Sequence, residues 1–195
     1  MDREWWTTYA ALWDDEAGLF YRDKRFIGRR TPNGQKVFWS RGNGWVFGGI
    51  VRVLQYLPDD HPSRSRYIAL FRRMADTLVA IQGADGLWRP SLLDPQQVDI
   101  PETSGSAFFT YGLAWGINSG LLDRETYLPA VQRSWSALVG KVDAAGRLTH
   151  VQQIGDAPEA LRPEQTEVYG SGAFLLAGSE VYRLALLGGA RETRL

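Results

Sequence analysis

A short segment of the chain combines two indole rings, a guanidinium and an amide within seven positions. Its residues are Trp39, Arg41, Asn43, Gly44 and Trp45. A guanidinium binds a carboxylate through paired, charge-assisted hydrogen bonds, which are worth about 1.5–3 kcal/mol where water is excluded. Tryptophan rings exclude water and offer faces on which a sugar ring can stack. The segment is therefore a candidate site for an acidic sugar, although the same residues could form a buried aromatic pair whose arginine satisfies loop carbonyls.

The overall composition argues against several classes of protein. The 195 residues include 22 basic and 22 acidic side chains, so the net charge gives no reason to expect nucleic acid or an anionic membrane as a partner. Without cysteine, and with only His61 and His150 as histidines, a metal enzyme is not expected. No apolar run reaches the roughly 18 residues of a membrane span, and the residues after Met1 lack the pattern of a signal peptide. The sequence therefore predicts a cytoplasmic protein.

Three glycine-led segments repeat along the chain. They begin at Gly42, Gly105 and Gly170, a spacing of about 63 and 65 residues that suits a pair of helices with their loops. Each segment opens an apolar helix that is rich in small residues, as is typical of a buried inner helix. These inner helices are predicted over 43–57, 104–119 and 170–188.

A second glycine pattern alternates with these three segments. A glycine that precedes apolar residues recurs at Gly18, Gly86 and Gly146, and each copy follows a charged, amphipathic helix. These outer helices are predicted over 2–13, 63–82 and 124–140. Three units of outer helix, glycine loop and inner helix predict an all-α toroid of helical hairpins. The long loops from outer to inner helices are expected to build the site.

Four longer strings resemble a known group of enzymes. They are Trp13–Asp23, Phe38–Trp45, Glu102–Ala107 and Tyr169–Glu180. Together they resemble glycoside hydrolase family 105, the unsaturated rhamnogalacturonyl hydrolases, and family 88, the unsaturated glucuronyl hydrolases. The resemblance covers essentially the whole chain. It implies an (α/α)6 barrel of six hairpins, of which residues 1–195 would be a single domain of about three hairpins, the C-terminal half.

The resemblance also implies an activity. Members of these families act on oligosaccharides left by polysaccharide lyases, whose terminal uronic acid carries a C4–C5 double bond. An aspartate serves as general acid and base while this vinyl ether is hydrated, and the resulting hemiketal collapses and releases the sugar. The implied partner is an oligosaccharide with a terminal uronic acid, and no metal or organic cofactor is implied.

Matching strings carry the family's substrate contacts onto this chain. The substrate-binding candidates are Trp39, Arg41, Asn43, Trp45, Arg22, Thr103, Ser104 and Tyr169. Trp39 and Trp45 would form an aromatic wall, and Arg41 would face the uronate carboxylate. Arg22 stands where the family often has a histidine. Gly42 and Gly44 are expected to let the backbone turn tightly into the inner helix.

The candidates at the other two inner helices also have a structural interpretation. Glu102, Thr103 and Ser104 first predict a helix start, with Thr103 or Ser104 as the N-cap. A cap that faces the centre of the ring could also touch a sugar hydroxyl. Tyr169 opens the third inner helix in the equivalent place.

No residue of the chain matches the family's catalytic aspartate, which is expected upstream of Met1. Asp23, beside Arg22, is the substitute candidate, whereas Asp14 and Asp15 are better explained as turn residues. Three functions remain open: an unsaturated uronyl hydrolase or its substrate-binding half, a non-catalytic carbohydrate-binding remnant, and a different helical toroid such as a terpenoid cyclase, prenyltransferase or epimerase. Inner helices without neighbours predict a homo-oligomer.

Overall fold

Six α-helices make up most of the chain in the computed structural model, which describes residues 2–192 and the side chains of residues 2–187. The helices are α1 (Asp2–Leu12), α2 (Ser40–Tyr56), α3 (Arg64–Ala80), α4 (Thr103–Asn118), α5 (Arg124–Val139) and α6 (Val168–Glu192). A short antiparallel hairpin, β1 (Trp13–Asp14) and β2 (Leu19–Phe20), follows α1. All six predicted helices are present, and the all-α prediction is confirmed. Met1 and residues 193–195, the ends of the predicted domain, lie outside the described residues.

Helix α4 lies at the centre of the packing. It contacts α2, α5 and α6, and every residue from Thr103 to Ile117 is buried. An added Cβ at Gly112 would collide with the ring of Phe47, so glycine is what allows α2 and α4 to approach closely here. The helices α2, α4 and α6 are therefore the inner helices, and α1, α3 and α5 are the outer ones, as the repeat predicts.

Aromatic rings join the inner and outer layers. Phe47 of α2 stacks on Phe71 of α3 with ring centroids 4.8 Å apart. Trp88 meets Phe109 of α4 edge-on at 5.1 Å, and its indole nitrogen donates a hydrogen bond of 2.9 Å to the Leu78 carbonyl of α3. These fully buried rings fix the inner helices against the outer ones, and so fix the helix ends that carry the candidate site.

The three glycines that follow the outer helices adopt the same backbone conformation. Gly18, Gly86 and Gly146 have φ angles of +64°, +86° and +78°. Side chains other than glycine rarely adopt this left-handed region, which explains why the glycine persists even where Arg147 replaces the apolar residue that follows it. His150 is a non-glycine residue in the same region, with φ +60°.

The first and last inner helices each expose apolar side chains. Leu175, Tyr182 and Leu186 of α6 are 68%, 66% and 56% exposed, and Trp45 and Tyr56 of α2 are 52% and 74% exposed.

None of the helices in the described part of the chain is both long enough and apolar enough to cross a membrane.

Candidate functional site

The candidate site lies at the N-terminal ends of the inner helices, where the loops from the outer helices arrive. Residues 150–153, in the loop between α5 and α6, contact all three of these helix ends and are called the junction here. The His150 carbonyl accepts a hydrogen bond from the Thr103 backbone at the start of α4, and Gln152 accepts hydrogen bonds from Arg41 of α2 and Tyr169 of α6. This junction therefore decides where the candidate side chains point.

The Arg41 guanidinium is buried against this junction. It is 3% exposed and donates hydrogen bonds to the carbonyls of Gln152 and Gln153 and to the Tyr169 hydroxyl. The rings of Trp39 and Tyr169 lie on it, with centroids 4.6 and 4.7 Å from its central carbon. This geometry corresponds to the structural interpretation, in which the arginine satisfies loop carbonyls. Arg41 holds the loop and does not line the open cleft between α1 and the start of α2.

Trp39 and Asn43 also have their polar atoms bonded within the protein. The Trp39 indole nitrogen donates to Gln152 Oε1 at 2.8 Å, and the Gln152 amide nitrogen donates to the Ala157 carbonyl at 2.8 Å. The Asn43 amide accepts from the Phe20 backbone N–H at 2.8 Å and donates to the Phe20 carbonyl at 3.0 Å. Asn43 thus pairs with β2 as a strand would, and it holds the segment that leads to Arg22.

The predicted turn at Gly42 and Gly44 is not present. Both residues lie inside α2, which begins at Ser40, and neither has a positive φ. Each glycine instead makes room for a neighbour. An added Cβ at Gly44 would lie 3.0 Å from Phe108 Cβ, and one at Gly42 would lie 2.9 Å from the Trp39 ring. The two glycines therefore serve close packing.

The N-cap of α4 is Glu102, which corrects the prediction of Thr103 or Ser104. Glu102 Oε1 accepts hydrogen bonds from the Ser104 backbone at 3.0 Å, the Ser104 hydroxyl at 2.6 Å and the Gln152 backbone at 3.2 Å, while Oε2 accepts from the Gly105 backbone at 2.6 Å. Thr103 Oγ1 donates to the Thr149 carbonyl at 2.6 Å. Thr103 and Ser104 are fully buried and do not line the adjacent cleft.

Tyr169 opens the third inner helix as predicted, and it faces the junction. Its hydroxyl donates a hydrogen bond of 2.6 Å to the Gln152 carbonyl. Burial raises the pKa of Tyr169 above its ordinary value, so the hydroxyl remains a donor at neutral pH.

A cleft of about 520 Å³ lies between α1 and the start of α2. Its lining includes Trp5, Tyr9, Phe20, Arg22, Trp39 and Trp45. The exposed Trp45 ring rests on Phe108 at a centroid distance of 4.4 Å, and the Arg22 side chain is 41% exposed. Of the substrate-binding candidates, the cleft brings together Arg22, Trp39, Asn43 and Trp45. Trp5 and Tyr9 of α1 also line the cleft and were not among the predicted site residues, because aromatic residues near the start of the chain indicate a face that another element covers and not, by themselves, a binding site.

Asp23, the substitute acid, is held as a carboxylate. It caps a single 3-10 turn at Lys24–Phe26, where it accepts from the Arg25 backbone at 2.8 Å. The hydrogen bond from the Arg25 side chain holds the pKa of Asp23 well below its usual range, with a further hydrogen bond from Arg22 at 2.9 Å. A carboxyl group in this state has no proton to donate at neutral pH, which argues against a role as general acid.

The described side chains form no cluster of metal ligands. Among the side chains of residues 2–187, no three His, Asp or Glu come together as a group that could hold a metal ion.

The chain belongs to Glycosyl Hydrolase Family 88, whose family model matches residues 1–185. It is 44% identical over 180 residues to an unsaturated 3S-rhamnoglycuronyl hydrolase of Alteromonas sp. (strain LOR), and the match covers 92% of this chain and 44% of that protein. It is 47% identical over 190 residues to an unsaturated 3S-rhamnoglycuronyl hydrolase of Formosa agariphila, a match that covers 94% of this chain and 50% of that protein. The chain thus spans about half the length of the curated relatives it matches.

Solved structures show the same fold. A glycosyl hydrolase family 88 protein from Bacteroides vulgatus superposes with a TM-score of 0.89 at 39% identity, over 93% of this chain and 54% of that one. A possible member of family GH105 from Salmonella enterica superposes with a TM-score of 0.77 at 22% identity, over 94% and 49%, which shows the fold alone. The predicted hairpin toroid and the resemblance to families 88 and 105 are confirmed. Family membership also removes the terpenoid cyclase, prenyltransferase and epimerase alternatives.

Proposed function

We propose that this chain provides the substrate-binding half of an unsaturated uronyl hydrolase. Its substrates would be unsaturated rhamnogalacturonyl or glucuronyl oligosaccharides, with the terminal uronic acid in the cleft between α1 and α2. The observation that carries the proposal is the meeting of Trp39, Trp45 and Arg22 in one cleft. The names of two relatives at 44% and 47% identity, both unsaturated 3S-rhamnoglycuronyl hydrolases, support the class of reaction.

The roles of the two arginines differ from those expected from the sequence alone. Arg22 is half-exposed at the cleft and uses Nη1 for Asp23, and among the described residues no hydrogen bond occupies its other donors, which could bind the uronate carboxylate. The exposed face of Trp45 offers a stacking surface for the apolar side of the sugar ring. Arg41 would not touch the sugar. It binds the Gln152 carbonyl, and the Gln152 side chain in turn holds the Trp39 ring in place.

The proposed reaction is hydration of the vinyl ether between C4 and C5, after which the hemiketal collapses and the sugar is released. The family's general acid and base is an aspartate, and no residue of this chain corresponds to it. Because Asp23 is ionised and bonded to two arginines, we assign recognition of the sugar to this chain and expect the aspartate to be supplied from outside it.

The test is to mix the chain with a 4,5-unsaturated uronyl disaccharide and follow both the ultraviolet absorbance of the double bond and the heat of binding. We expect binding without loss of absorbance, which supports a recognition half and also fits the carbohydrate-binding remnant as the second candidate. Loss of absorbance would show that the chain holds its own catalytic acid. A chain that neither binds nor converts the disaccharide would contradict the proposal.

Substituting Arg22 or Trp45 tests the cleft directly. Arg22→Ala and Trp45→Ala should each weaken binding of the disaccharide at least about tenfold, since each removes an interaction worth more than about 1.4 kcal/mol. Tyr56→Ala is a matched control, because Tyr56 is another exposed aromatic residue of α2 but does not line the cleft. Isothermal titration calorimetry measures the affinities. Unchanged affinity in both cleft variants would remove this cleft from the binding site.

We also propose that the chain self-associates. The exposed apolar residues Leu175, Tyr182 and Leu186 of α6 form a surface of the kind that a neighbouring helix covers in a layered helical array. In size-exclusion chromatography with light scattering, the chain should be larger than a monomer at micromolar concentration. The double variant Tyr182→Lys with Leu186→Lys should reduce the observed mass. A parent chain that elutes as a clean monomer would rule self-association out.

A further inference from the structure

A single residue other than glycine has a left-handed backbone in the described part of the chain. It is His150, the first residue of the junction, with φ +60°. In this region the Cβ atom crowds the following carbonyl oxygen, so a residue with a side chain stays there only where its surroundings hold it. The conformation of His150 is therefore imposed by the contacts that the residue makes.

The backbone of His150 is held on both sides. Its N–H donates a hydrogen bond of 3.0 Å to the Pro163 carbonyl, and its carbonyl accepts one of 3.0 Å from the Thr103 N–H at the start of α4. The N–H of the next residue, Val151, donates to the Gln165 carbonyl at 3.1 Å. A left-handed residue can turn successive N–H groups towards one side, and here both groups reach the segment 163–165. The His150 carbonyl is left facing α4.

The imidazole supports the same conformation. Its Nδ1 lies 2.9 Å from Thr149 Oγ1, and that hydroxyl already donates its single proton to the Lys141 carbonyl at 2.8 Å. Thr149 Oγ1 must therefore accept, and Nδ1 must carry the proton. Histidine is one of the few residues with a side chain that are enriched in left-handed backbone, and this local bond ties its ring to the preceding residue.

The junction passes the direction of the backbone at His150 on to the cleft. The Gln152 carbonyl, two residues along the chain, accepts hydrogen bonds from Arg41 and Tyr169. The Gln152 side chain accepts one of 2.8 Å from the Trp39 indole nitrogen. Trp39 lines the cleft, whereas His150 does not. A different backbone direction at His150 would therefore move Gln152 away from the groups it binds and release the Trp39 ring.

We propose that His150 is a positioning residue for sugar binding, whose left-handed backbone directs Gln152 so that the Trp39 ring is held in the cleft. This inference rests on the proposed function. The sugar contacts Trp39 and not His150. A binding site loses affinity when the groups behind its contact side chains leave those side chains loosely held. The backbone conformation is what acts on the cleft, and the imidazole makes that conformation accessible to a residue other than glycine.

The experiment changes the backbone preference at position 150 and leaves the lining of the cleft unaltered. His150→Gly adopts a left-handed backbone freely, and His150→Val disfavours it strongly because valine is β-branched. His150→Ala disfavours it less, and it replaces the valine variant if that variant does not fold. Asp123→Ala is the matched control for a loss of stability, since it removes the N-cap of α5 and Asp123 does not line the cleft.

Two measurements are made on each variant. Isothermal titration calorimetry gives the affinity for a 4,5-unsaturated uronyl disaccharide, and a two-dimensional NMR spectrum gives the indole N–H resonance of Trp39, which a Trp39→Phe variant identifies. His150→Val should bind the disaccharide at least about tenfold more weakly than the parent and shift the Trp39 resonance. His150→Gly and Asp123→Ala should stay within about threefold of the parent's affinity and leave that resonance in place.

His150→Val with the parent's affinity and an unmoved Trp39 resonance would overturn the inference. Equal weakening in His150→Gly and His150→Val would also overturn it, because the imidazole and not the backbone would then be the cause. Equal weakening in Asp123→Ala would assign the loss to stability, with the same consequence. If the parent does not bind the disaccharide while the Trp39 resonance still moves in His150→Val and is restored in His150→Gly, the proposed function fails and the positioning of Trp39 stands.

Discussion

Replacing Arg41 with alanine should lower the free energy of unfolding by roughly 3 kcal/mol or more. The guanidinium is 3% exposed and gives charged hydrogen bonds to the carbonyls of Gln152 and Gln153. Each such bond contributes about 1.5–3 kcal/mol, and alanine leaves the carbonyls without their donor. Urea denaturation followed by tryptophan fluorescence measures the change.

The comparison of Arg41 with other arginines separates a structural role from a role in binding. Arg133→Ala, on the exposed face of α5, should change stability by less than about 0.5 kcal/mol. Arg22→Ala should weaken sugar binding while the fold remains as stable as in the parent. If Arg41→Ala instead abolished binding with no loss of stability, Arg41 would face the uronate as the sequence suggested, and the junction would have to open when sugar binds.

Replacing Glu102 with alanine should cost about 3 kcal/mol or more for a different reason. Its carboxylate is fully buried and accepts hydrogen bonds from Ser104, Gly105 and Gln152, so one substitution removes the cap of α4 and leaves several buried donors unsatisfied. Thermal and urea unfolding, monitored by circular dichroism, measure the loss.

Two variants sharpen this prediction. Asp123→Ala removes the exposed N-cap of α5, whose carboxylate accepts hydrogen bonds from the Thr126 backbone and hydroxyl, and should cost about 1 kcal/mol. Glu102→Gln keeps the shape but turns an amide N–H₂ towards one of the N–H donors, so its cost should fall between those of Asp123→Ala and Glu102→Ala. Equal costs for Glu102→Ala and Asp123→Ala would show that Glu102 is an ordinary helix cap and that its bond to Gln152 contributes nothing.

The helices were predictable because their signals are local and repeated. The spacing of Gly42, Gly105 and Gly170, together with the amphipathic stripes between them, located all six helices with bounds within four residues. The turns at Gly18, Gly86 and Gly146 were equally visible, since a left-handed backbone restricts the residue to glycine. Composition and periodicity carry such information without reference to the rest of the fold.

The orientation of the site residues was not predictable in the same way. Arg41 and Gln152 are far apart in sequence, and nothing in the string around Arg41 indicates that a later loop will bring carbonyls to it. Glu102 was overlooked as the cap because threonine and serine are more usual caps and both follow it directly. The sequence did not indicate that Trp5 and Tyr9 line the cleft, since an exposed aromatic face near the start of the chain does not show which segment it will meet.

The burial of α4 determines which helices can unfold locally and which unfold only with the whole domain. With Thr103–Ile117 enclosed by α2, α5 and α6, this helix loses solvent protection only when its neighbours separate. Helix α1, by contrast, contains no buried residue and is held by partly exposed rings such as Trp6 on Tyr67. Amide hydrogens of α4 should exchange only through global unfolding, while those of α1 exchange through local opening. The wall of the cleft that α1 provides is therefore the adjustable one, and the wall that α2 provides, held against α4, is the fixed one.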